Sequence, residues 1–518
     1  MKYLTLKEIK PFLLSALSGI LLTLTFPTFN IEILAWIAWI PLFLAMENAT
    51  PQRAALLGFF TGMVFYNWGL NWINNTLINY GNLHWFLSYC ALSLLAAYLS
   101  LIIGLFCYWV RRASGENRIH FFIFAPLLWT SLEYLRSTPE KLGFSWLGLG
   151  YSQFQNLPVI QPAEWTGVYG ISWLILMVNS GIYLSWKCWR EQKQNKFEII
   201  TGWRILSTTL LIFSLWLFYG NLMWKETRAS TVDRPHSKMA LIQGNIEQFM
   251  KWNPIYQGKV INKYKDLTLK AAKEEPSLII WPETATPFYF EENELETKMV
   301  RDLAREIKIP ILFGSPRREK INDEIVYFNS AYLVSDSGET LSRYDKMHLV
   351  PFGEFVPFRK LLFFIEKLVV MVGDFGRGKE ATVMEAAGDK AGVSICYEMI
   401  FPDLIRQAVK NGANFLVNIT NDAWFGKSAA SYQHMSMGAL RAVENRVPIL
   451  RAANTGISGN IEATGKIRDE TELFVDDFRI TLIAPATGNK TYYSLNGDVF
   501  SWVCLTLTGL AAILFRKK

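Results

Sequence analysis

Cysteine is scarce in this chain and unevenly distributed. The 518 residues include five cysteines, and four of them lie in or just beyond long apolar runs. Only Cys396 belongs to the large polar segment between about residues 223 and 490. This excludes a disulfide framework within that segment, because its single cysteine has no partner there. Cys396 is therefore either a buried packing residue or a nucleophile.

Charged residues are scarce as well. They make up 19% of the chain, whereas 51% of the residues are hydrophobic and 14% are aromatic. Soluble domains contain about 25% charged residues, and the mean hydropathy of this chain is positive. The composition excludes an ordinary soluble enzyme and predicts membrane segments.

The excess of positive over negative charge is confined to a few short segments. The formal net charge is +7, but five short segments beside apolar runs contain 14 lysines and arginines against 5 acidic residues. These segments are 1–10, 47–54, 111–118, 187–198 and 516–518. A basic excess at the ends of apolar runs indicates membrane topology and argues against a nucleic-acid-binding surface.

Eight apolar stretches predict a polytopic membrane domain with about eight transmembrane helices. A spanning helix needs about 20 mostly apolar residues, with about 17 as the lower bound, and the second stretch is close to that bound. The stretches are 11–27, 31–46, 55–72, 83–110, 119–135, 159–186, 203–222 and 495–515. The expected domains are a seven-helix membrane domain (1–222), a linker (223–236), a polar domain (237–490) and a C-terminal transmembrane helix (495–515).

The basic segments also predict an orientation. With a cytoplasmic N-terminus, all five lie on the cytoplasmic side, whereas the outside loop around 70–82 has no lysine or arginine. This arrangement obeys the positive-inside rule. It places both termini in the cytoplasm and residues 237–490 outside it, in a compartment that is usually oxidising.

The polar segment reads as alternating short strands and amphipathic helices. Strand-like runs at 277–281 and 392–396 end next to Glu283 and at Cys396, and a helix-like run at 402–411 follows. This alternation predicts an α/β layered domain with a central sheet.

Three residues at strand ends or in adjacent loops could cooperate chemically: Glu283, Lys346 and Cys396. A cysteine attacks a carbonyl carbon as the thiolate, so it needs a nearby base or cation. Glu283 can take the thiol proton, and Lys346 can stabilise a developing oxyanion. The sequence separations of 63 and 50 residues leave open whether the three side chains meet.

Local motifs add a resemblance. Trp-Pro-Glu at 281–283, the run 344–354 and Ile-Cys-Tyr-Glu at 395–398 resemble the Glu-Lys-Cys signature of the nitrilase superfamily, and the run 418–426 fits it as well. Together with the apolar lead-in, almost the whole chain resembles the apolipoprotein N-acyltransferase family, the membrane-embedded branch of that superfamily.

The resemblance implies a fold and a set of roles. The polar domain is expected to be an αββα sandwich. Glu283 would be the general base, Lys346 the transition-state stabiliser and Cys396 the nucleophile. The residues expected to support the triad or bind substrate are Glu354, Tyr397, Glu398 and Trp252.

The resemblance also implies a reaction and partners. A phospholipid would donate an acyl chain to Cys396 as a thioester, and the α-amino group of a diacylglyceryl-cysteine at an apolipoprotein N-terminus would accept it. No metal, organic cofactor or nucleic acid is implied. The expected protein is a monomer in a bacterial inner membrane, with its catalytic domain on the periplasmic side and both termini in the cytoplasm.

An apolar run directly after Glu354 suggests how lipid reaches the site. Residues 355–372 contain four charged residues, which excludes a membrane span. The run is typical of an interfacial arm whose apolar face enters lipid, and we interpret it as guarding lipid entry to Cys396.

Simpler interpretations remain open. The chain could be a membrane-tethered amidase or nitrile hydrolase that uses water as the acyl acceptor, or a non-catalytic receptor or scaffold that kept the fold. His348 and His434 are interpreted as structural or loop histidines. Glu133, Arg136 and Glu164, at or near span ends, are either functional or simply interfacial anchors and mutual ion pairs.

Overall fold

The computed structural model describes residues 6–115, 117–138, 143–191, 197–232, 234–251, 253–351, 353–355 and 375–515. These residues form two compact units. The first unit comprises Met1–Asn74, Leu83–Trp224 and Asp498–Lys518, and the second comprises Asn75–Asn82 and Lys225–Gly497.

The first unit is helical. In chain order, the helices of the whole protein are α1 (Leu6–Leu24), α2 (Ile40–Ala45), α3 (Pro51–Gly69), α4 (Ile73–Asn79), α5 (Trp85–Ser114), α6 (Arg118–Ser137), α7 (Leu157–Ile160), α8 (Ala163–Thr166), α9 (Val168–Glu191), α10 (Phe197–Val232), α11 (Gln248–Lys251), α12 (Gln257–Ala272), α13 (Glu294–Ile307), α14 (Pro402–Lys410), α15 (Ala429–Asn445), α16 (Tyr492–Asn496) and α17 (Val499–Phe515). The first unit contains α1–α3, α5–α9, most of α10 and α17, whereas most of α4 belongs to the second unit.

Three helices of the described residues are long and apolar enough to cross a bilayer. They are Trp85–Ser114, Val168–Glu191 and Glu198–Val232, and they coincide with the fourth, sixth and seventh predicted stretches. The other five crossings do not follow from helix length and composition, so their number stays a prediction.

Two predicted stretches are interrupted. Stretch 31–46 contains a 3-10 turn (Glu32–Trp36) followed by the short helix α2, which begins with Pro41 near its N-terminus. Stretch 159–186 contains α8, which ends at Gly167 with φ +62°, before the long helix α9 begins. Proline lacks an N–H donor and glycine adopts positive φ at little cost, so both residues favour helix ends.

Close helix contacts explain one of the scarce cysteines. A β-carbon at Gly58 of α3 would lie 2.5 Å from the Cys107 sulfur of α5. Only glycine permits this approach, which is the usual way small residues join membrane helices. Cys107 is buried, so it is a packing residue.

The second unit contains two six-stranded sheets. The first has the order β12-β1-β2-β3-β4-β5 and the second β11-β10-β9-β8-β7-β6. The strands are β1 (Ser237–Gln243), β2 (Leu278–Ile280), β3 (Ile311–Ile321), β4 (Glu324–Val334), β5 (Thr340–Asp345), β6 (Val383–Ala386), β7 (Asp389–Ile395), β8 (Phe415–Thr420), β9 (Ile449–Ala453), β10 (Gly459–Ile461), β11 (Ile467–Arg468) and β12 (Asp477–Ile483).

The two sheets pack face to face. One buried cluster joins Leu241 and Leu333 of the first sheet to Val393 and Val417 of the second. A second cluster packs α12 and α13 on the outer face of the first sheet, and α14 and α15 pack against the second sheet. The predicted αββα sandwich is confirmed.

Strand direction determines where polar side chains collect. Strands β1, β2 and β3 are parallel, and so are β7, β8 and β9. Glu283 follows β2 and Cys396 follows β7. The carboxyl ends of parallel strands are the usual place for a site in layered α/β proteins.

Helix α10 extends further than the hydropathy pattern indicated. It continues to Val232, into the segment predicted as a linker. The run 224–232 contains no proline or glycine, so nothing in its backbone opposes a helix.

Candidate active site

Cys396 occupies a sharp junction between strand and turn. It follows β7 and begins a 3-10 turn, Cys396–Ile400, with φ +53°. A positive φ is costly for a residue with a β-carbon. Its side chain is buried, with 8% of the residue exposed. Burial is the main cause that raises the pKa of the thiol; the Glu283 carboxylate adds to the rise and Lys346 opposes it.

The Glu283 carboxylate is fixed from both sides. Its Oε1 accepts a hydrogen bond from Asn329 Nδ2 at 2.7 Å, and its Oε2 accepts one from the Asn421 backbone N–H at 2.8 Å. A β-carbon at Gly314 on β3 would lie 2.7 Å from the Glu283 Cα. The neighbouring strand therefore approaches the backbone of Glu283 as closely as glycine allows.

Lys346 is held between two carboxylates. It follows β5, is 1% exposed, and its Nζ lies 2.9 Å from Glu354 Oε1 and 3.8 Å from Glu283 Oε1. Burial opposes its charge, but Glu354 and Glu283 together raise its pKa above the ordinary value. Lys346 therefore remains a cation at neutral pH.

Asn329 joins the two glutamates and was not predicted. Its Nδ2 donates to Glu283 Oε1 at 2.7 Å and to Glu354 Oε1 at 3.0 Å. The second oxygen of Glu354 accepts from the Val350 backbone N–H at 2.9 Å. Lys346, Glu283, Glu354 and Asn329 thus form one connected polar cluster, although they come from β4 and from chain segments after β2 and β5.

The Glu398 carboxylate is fully engaged in hydrogen bonds that join two segments of the site. Its carboxylate accepts backbone N–H bonds from Met347 at 2.6 Å, His348 at 2.9 Å and Ile395 at 2.7 Å, and also bonds the Tyr344 hydroxyl. Burial raises its pKa to about 7. Glu398 therefore ties the segment carrying Lys346 to the strand carrying Cys396.

Tyr397, the residue after Cys396, lies in an aromatic group. Its ring is 5.2 Å from Phe401, edge to face, and 6.2 Å from His348. Burial raises the pKa of its hydroxyl. The arrangement fits a wall residue of the site.

Lys251 is a second lysine close to Glu283. It ends α11, is fully buried, and donates from Nζ to the backbone carbonyl of Glu283 at 3.0 Å. Burial lowers its pKa to about 7, and the Glu283 charge opposes this shift. No periodicity or motif in the sequence points to Lys251, apart from its position before Trp252.

Four more polar residues lie beneath Cys396. Asn418, Asp422, His434 and Arg451 are buried and hydrogen-bonded to one another. Asn418 and Asp422 belong to the run that supported the family resemblance. His434 was interpreted as structural or in a loop; it lies on α15 and contacts the Cys396 carbonyl.

Two predictions fall outside the described residues. Trp252 is one, and the proposed interfacial arm 355–372 is the other, apart from Phe355. Within the part of the chain that the structure describes, no group of three His, Cys, Asp or Glu side chains is arranged to hold a metal ion.

The described cluster contains the elements of covalent acyl chemistry. It offers a buried thiol, a carboxylate whose charge acts on that thiol, and a cation whose charge also acts on it. A thiol with a raised pKa needs a base at the moment of attack. A buried cation stabilises an oxyanion more strongly than an exposed one, because the surrounding dielectric is low.

Known families match both parts of the chain. A model described as the apolipoprotein N-acyltransferase N-terminal domain matches residues 18–181, and a carbon-nitrogen hydrolase model matches residues 238–477. A curated apolipoprotein N-acyltransferase from Geobacter metallireducens is 42% identical over 512 residues, covering 98% of this chain and 96% of that protein. Another, from Methylococcus capsulatus, is 33% identical over 516 residues, with the same coverage.

Several solved structures are similar to about half of this chain. A mutant amidase of the nitrilase superfamily from Nesterenkonia covers 52% of this chain and 96% of its own, with 17% identity and a TM-score of 0.38. A nitrilase-superfamily protein from Saccharomyces cerevisiae covers 48% of this chain and 90% of its own, with 20% identity and a TM-score of 0.38.

Proposed function

Because the chain belongs to the apolipoprotein N-acyltransferase family, we propose that it transfers an acyl chain from a membrane phospholipid to the N-terminus of apolipoproteins. The acceptor is the α-amino group of a diacylglyceryl-cysteine. The observation that carries the proposal is the buried Glu283–Lys346–Glu354 cluster, with Lys346 Nζ at 2.9 and 3.8 Å from the two carboxylates, in a chain that matches curated acyltransferases over 98% of its length.

The first half-reaction loads the enzyme. Glu283 accepts the thiol proton, and the sulfur of Cys396 bonds to the ester carbonyl carbon while an electron pair moves onto the carbonyl oxygen. Lys346 stabilises that oxyanion. The ester C–O bond then breaks, and the glycerol oxygen leaves with the proton that Glu283 returns. The products are a thioester and a lysophospholipid.

The second half-reaction transfers the acyl chain from Cys396 to the acceptor. The neutral α-amino group of the acceptor attacks the thioester carbonyl and gives its proton to Glu283. The C–S bond breaks, and the departing sulfur takes that proton back. Splitting the transfer into two steps of lower barrier is what covalent catalysis provides.

The supporting residues have separate tasks in this proposal. Glu354 holds Lys346 in place and charged. Glu398 fixes the segments on which Lys346 and Cys396 lie, and Tyr397 forms part of the pocket wall. Trp252 follows Lys251, whose ammonium group reaches the Glu283 carbonyl, so a role for Trp252 near the acyl chain fits its place in the chain.

Water is the competing acyl acceptor, as in an amidase. The helical first unit matches the N-terminal model of the acyltransferase family over residues 18–181. A hydrolase of small soluble amides has no need for such a unit. This match favours a lipid donor and a lipid-anchored acceptor over the amidase alternative.

The proposal includes a topology of about eight crossings in a bacterial inner membrane. The protein is a monomer with both termini in the cytoplasm and the catalytic unit in the periplasm. Support comes from residues 75–82, predicted as an outside loop, which belong to the same compact unit as the catalytic residues. Tyr80 donates to the Ala423 carbonyl at 2.9 Å, and Thr76 donates to the Trp424 carbonyl at 2.8 Å.

The crossing at 31–46 decides this topology. A 3-10 turn rises about 2.0 Å per residue, more than the roughly 1.5 Å of an α-helix. The segment therefore extends further than an α-helix with the same number of residues, though not as far as a full span. Without it, six crossings would precede the catalytic unit, and the N-terminus would lie on the same side as that unit. Reporter fusions at the N-terminus and after Ala49 measure this directly, and a periplasmic N-terminus would refute the topology.

Intact-protein mass spectrometry tests the function. Incubation with a phospholipid of one defined chain should add one acyl mass to Cys396, and a synthetic diacylated lipopeptide should remove it and appear N-acylated. Loss of the adduct to water as free fatty acid, at the same rate with and without lipopeptide, would support the amidase instead. The Cys396→Ser variant should show no thioester adduct.

A further inference from the structure

The backbone of Cys396 has a demanding conformation. Its φ of +53° lies in the left-handed region, which costs a residue with a β-carbon about 1 kcal/mol or more. Such a conformation persists only where neighbouring groups hold it. The groups that contact its carbonyl oxygen are therefore the ones that can hold this conformation.

Two side chains donate to that oxygen. Asn418 Nδ2 lies 3.3 Å from the Cys396 carbonyl, and His434 Nε2 lies 3.2 Å from it. Asn418 comes from β8 and His434 from α15, so the carbonyl is fixed by two separate elements. Both side chains are buried.

A single guanidinium group orients both donors. Arg451 Nη1 donates to Asn418 Oδ1 at 2.6 Å, which turns the amide nitrogen of Asn418 towards Cys396. Arg451 Nη2 lies 3.0 Å from His434 Nδ1. Asp422 Oδ1 lies 3.4 Å from the same nitrogen, but the Cys396 carbonyl can only accept and arginine can only donate, so a neutral ring carries its proton on Nε2, where it points to the Cys396 carbonyl.

The charge of Arg451 is balanced locally. Arg451 Nη2 also bonds Asp422 Oδ2 at 2.9 Å. Burial opposes ionisation of Asp422, but Arg451 outweighs it and keeps the pKa of the carboxyl below its ordinary value. Burial and the Arg451 charge lower the pKa of His434, and they outweigh Asp422, which raises it. The imidazole is therefore neutral, as its bond from Arg451 requires.

We propose that Arg451, through His434 and Asn418, is a positioning group for the nucleophile: it holds the Cys396 carbonyl and thereby keeps the thiol in its attacking orientation. This inference rests on the proposed acyl-loading function. It adds three residues that act on Cys396 through its backbone and do not contact the substrate.

The test uses His434, because removing Arg451 would leave Asp422 buried without its cation and would endanger folding. His434→Leu removes the donor. His434→Gln keeps an amide donor for Cys396 and an acceptor for Arg451. Ser436→Ala is the matched control: Ser436 is buried on the same helix and donates to the Gln433 carbonyl.

The readout is the single-turnover rate of acyl loading in the full-length protein, measured by mass spectrometry over a range of phospholipid concentrations. We expect His434→Leu to lower the saturating rate roughly tenfold, the order expected for one lost hydrogen bond. The half-saturating phospholipid concentration should not change. His434→Gln should recover to within about threefold of the wild type, and Ser436→Ala should load normally.

Asn418→Asp provides a second test should His434→Leu fail to fold. The substitution keeps the shape and the acceptor for Arg451 but places an oxygen, in place of a donor, against the Cys396 carbonyl. It should slow loading to a similar degree. Wild-type loading by either variant, an equal loss in Ser436→Ala, or no recovery in His434→Gln would overturn the proposal. A wild-type protein that forms no adduct would instead refute the proposed function.

Discussion

Asn329 offers the sharpest test of how the charged cluster works. Its amide nitrogen donates to the Oε1 atoms of both Glu283 and Glu354, at 2.7 and 3.0 Å, and Lys346 Nζ approaches the same two atoms. Its own Oδ1 has no hydrogen-bond partner among the described residues. Leucine has nearly the same shape, so Asn329→Leu removes two hydrogen bonds to carboxylates without opening a cavity.

The size of the effect follows from those two bonds. A hydrogen bond to a charged group contributes about 1.5–3 kcal/mol. Relief of the unpartnered Oδ1 offsets part of the loss, and Glu283 keeps the bond from the Asn421 backbone. We therefore expect a free energy of unfolding lower by about 2 kcal/mol and, from the displaced base, acyl loading slower by roughly 10²-fold.

Urea unfolding measures the loss of stability, and single-turnover acyl loading measures the loss of rate. Ser330→Ala is the control: Ser330 is the next residue on β4, points to the other face, and donates to Asp345 at 2.6 Å. An Asn329→Leu protein that loads at the wild-type rate would show that the bonds to the two glutamates do not matter for the chemistry.

Three further predictions concern Glu398, Gly314 and the 75–82 segment. The pKa of Glu398 is raised to about 7 by burial, so its stabilising contribution is complete below the ordinary carboxyl pKa and is lost as the pH rises through about 7. The melting temperature of the wild type should therefore fall more between about pH 5 and 8 than that of Glu398→Gln, and equal slopes would contradict this assignment. Gly314→Ala places a methyl group 2.5 Å from the Thr284 nitrogen and 2.7 Å from the Glu283 Cα, so loading should fall more than about tenfold while the circular dichroism spectrum is retained; normal loading would show that the backbone yields without moving Glu283. Combining Thr76→Val with Tyr80→Phe removes two hydrogen bonds to the turn at 422–425, so amide exchange there should become faster by about tenfold or more, and unchanged exchange would show that the segment does not stabilise the turn.

Sequence patterns predicted the elements that depend on local order. Short apolar runs before Glu283 and Cys396 became β2 and β7, because a buried parallel strand needs a continuous apolar run. The sandwich followed from the alternation of strands and helices. The interruption at 31–46 also has a local cause, since Pro41 lies near the start of α2. Mean hydropathy depends only on composition, so it does not show where a helix within an apolar stretch is broken.

The contacts that orient the site depend on sheet register instead. Asn329 meets Glu283 because β4 pairs with β3, and β3 with β2. Arg451 meets Asn418 because β9 pairs with β8 at that position. These partners lie 46 and 33 residues apart, and no periodicity in one sequence encodes such pairings. Motifs pointed to the side chains that we propose to react, whereas the residues that hold them became visible only in the fold.

The raised pKa of Cys396 explains how a single thiol can persist in the polar segment. Oxidants and metals react with the thiolate and much less with the thiol. Burial and the Glu283 charge keep the resting thiol protonated, which protects it in the oxidising compartment proposed for this unit. In the proposed mechanism, attack requires Glu283 to take the proton while Lys346 stabilises the oxyanion, so the thiolate forms only where an ester is already bound. A lasting thiolate would form early and be lost to oxidation; a buried thiol beside a fixed base avoids that loss.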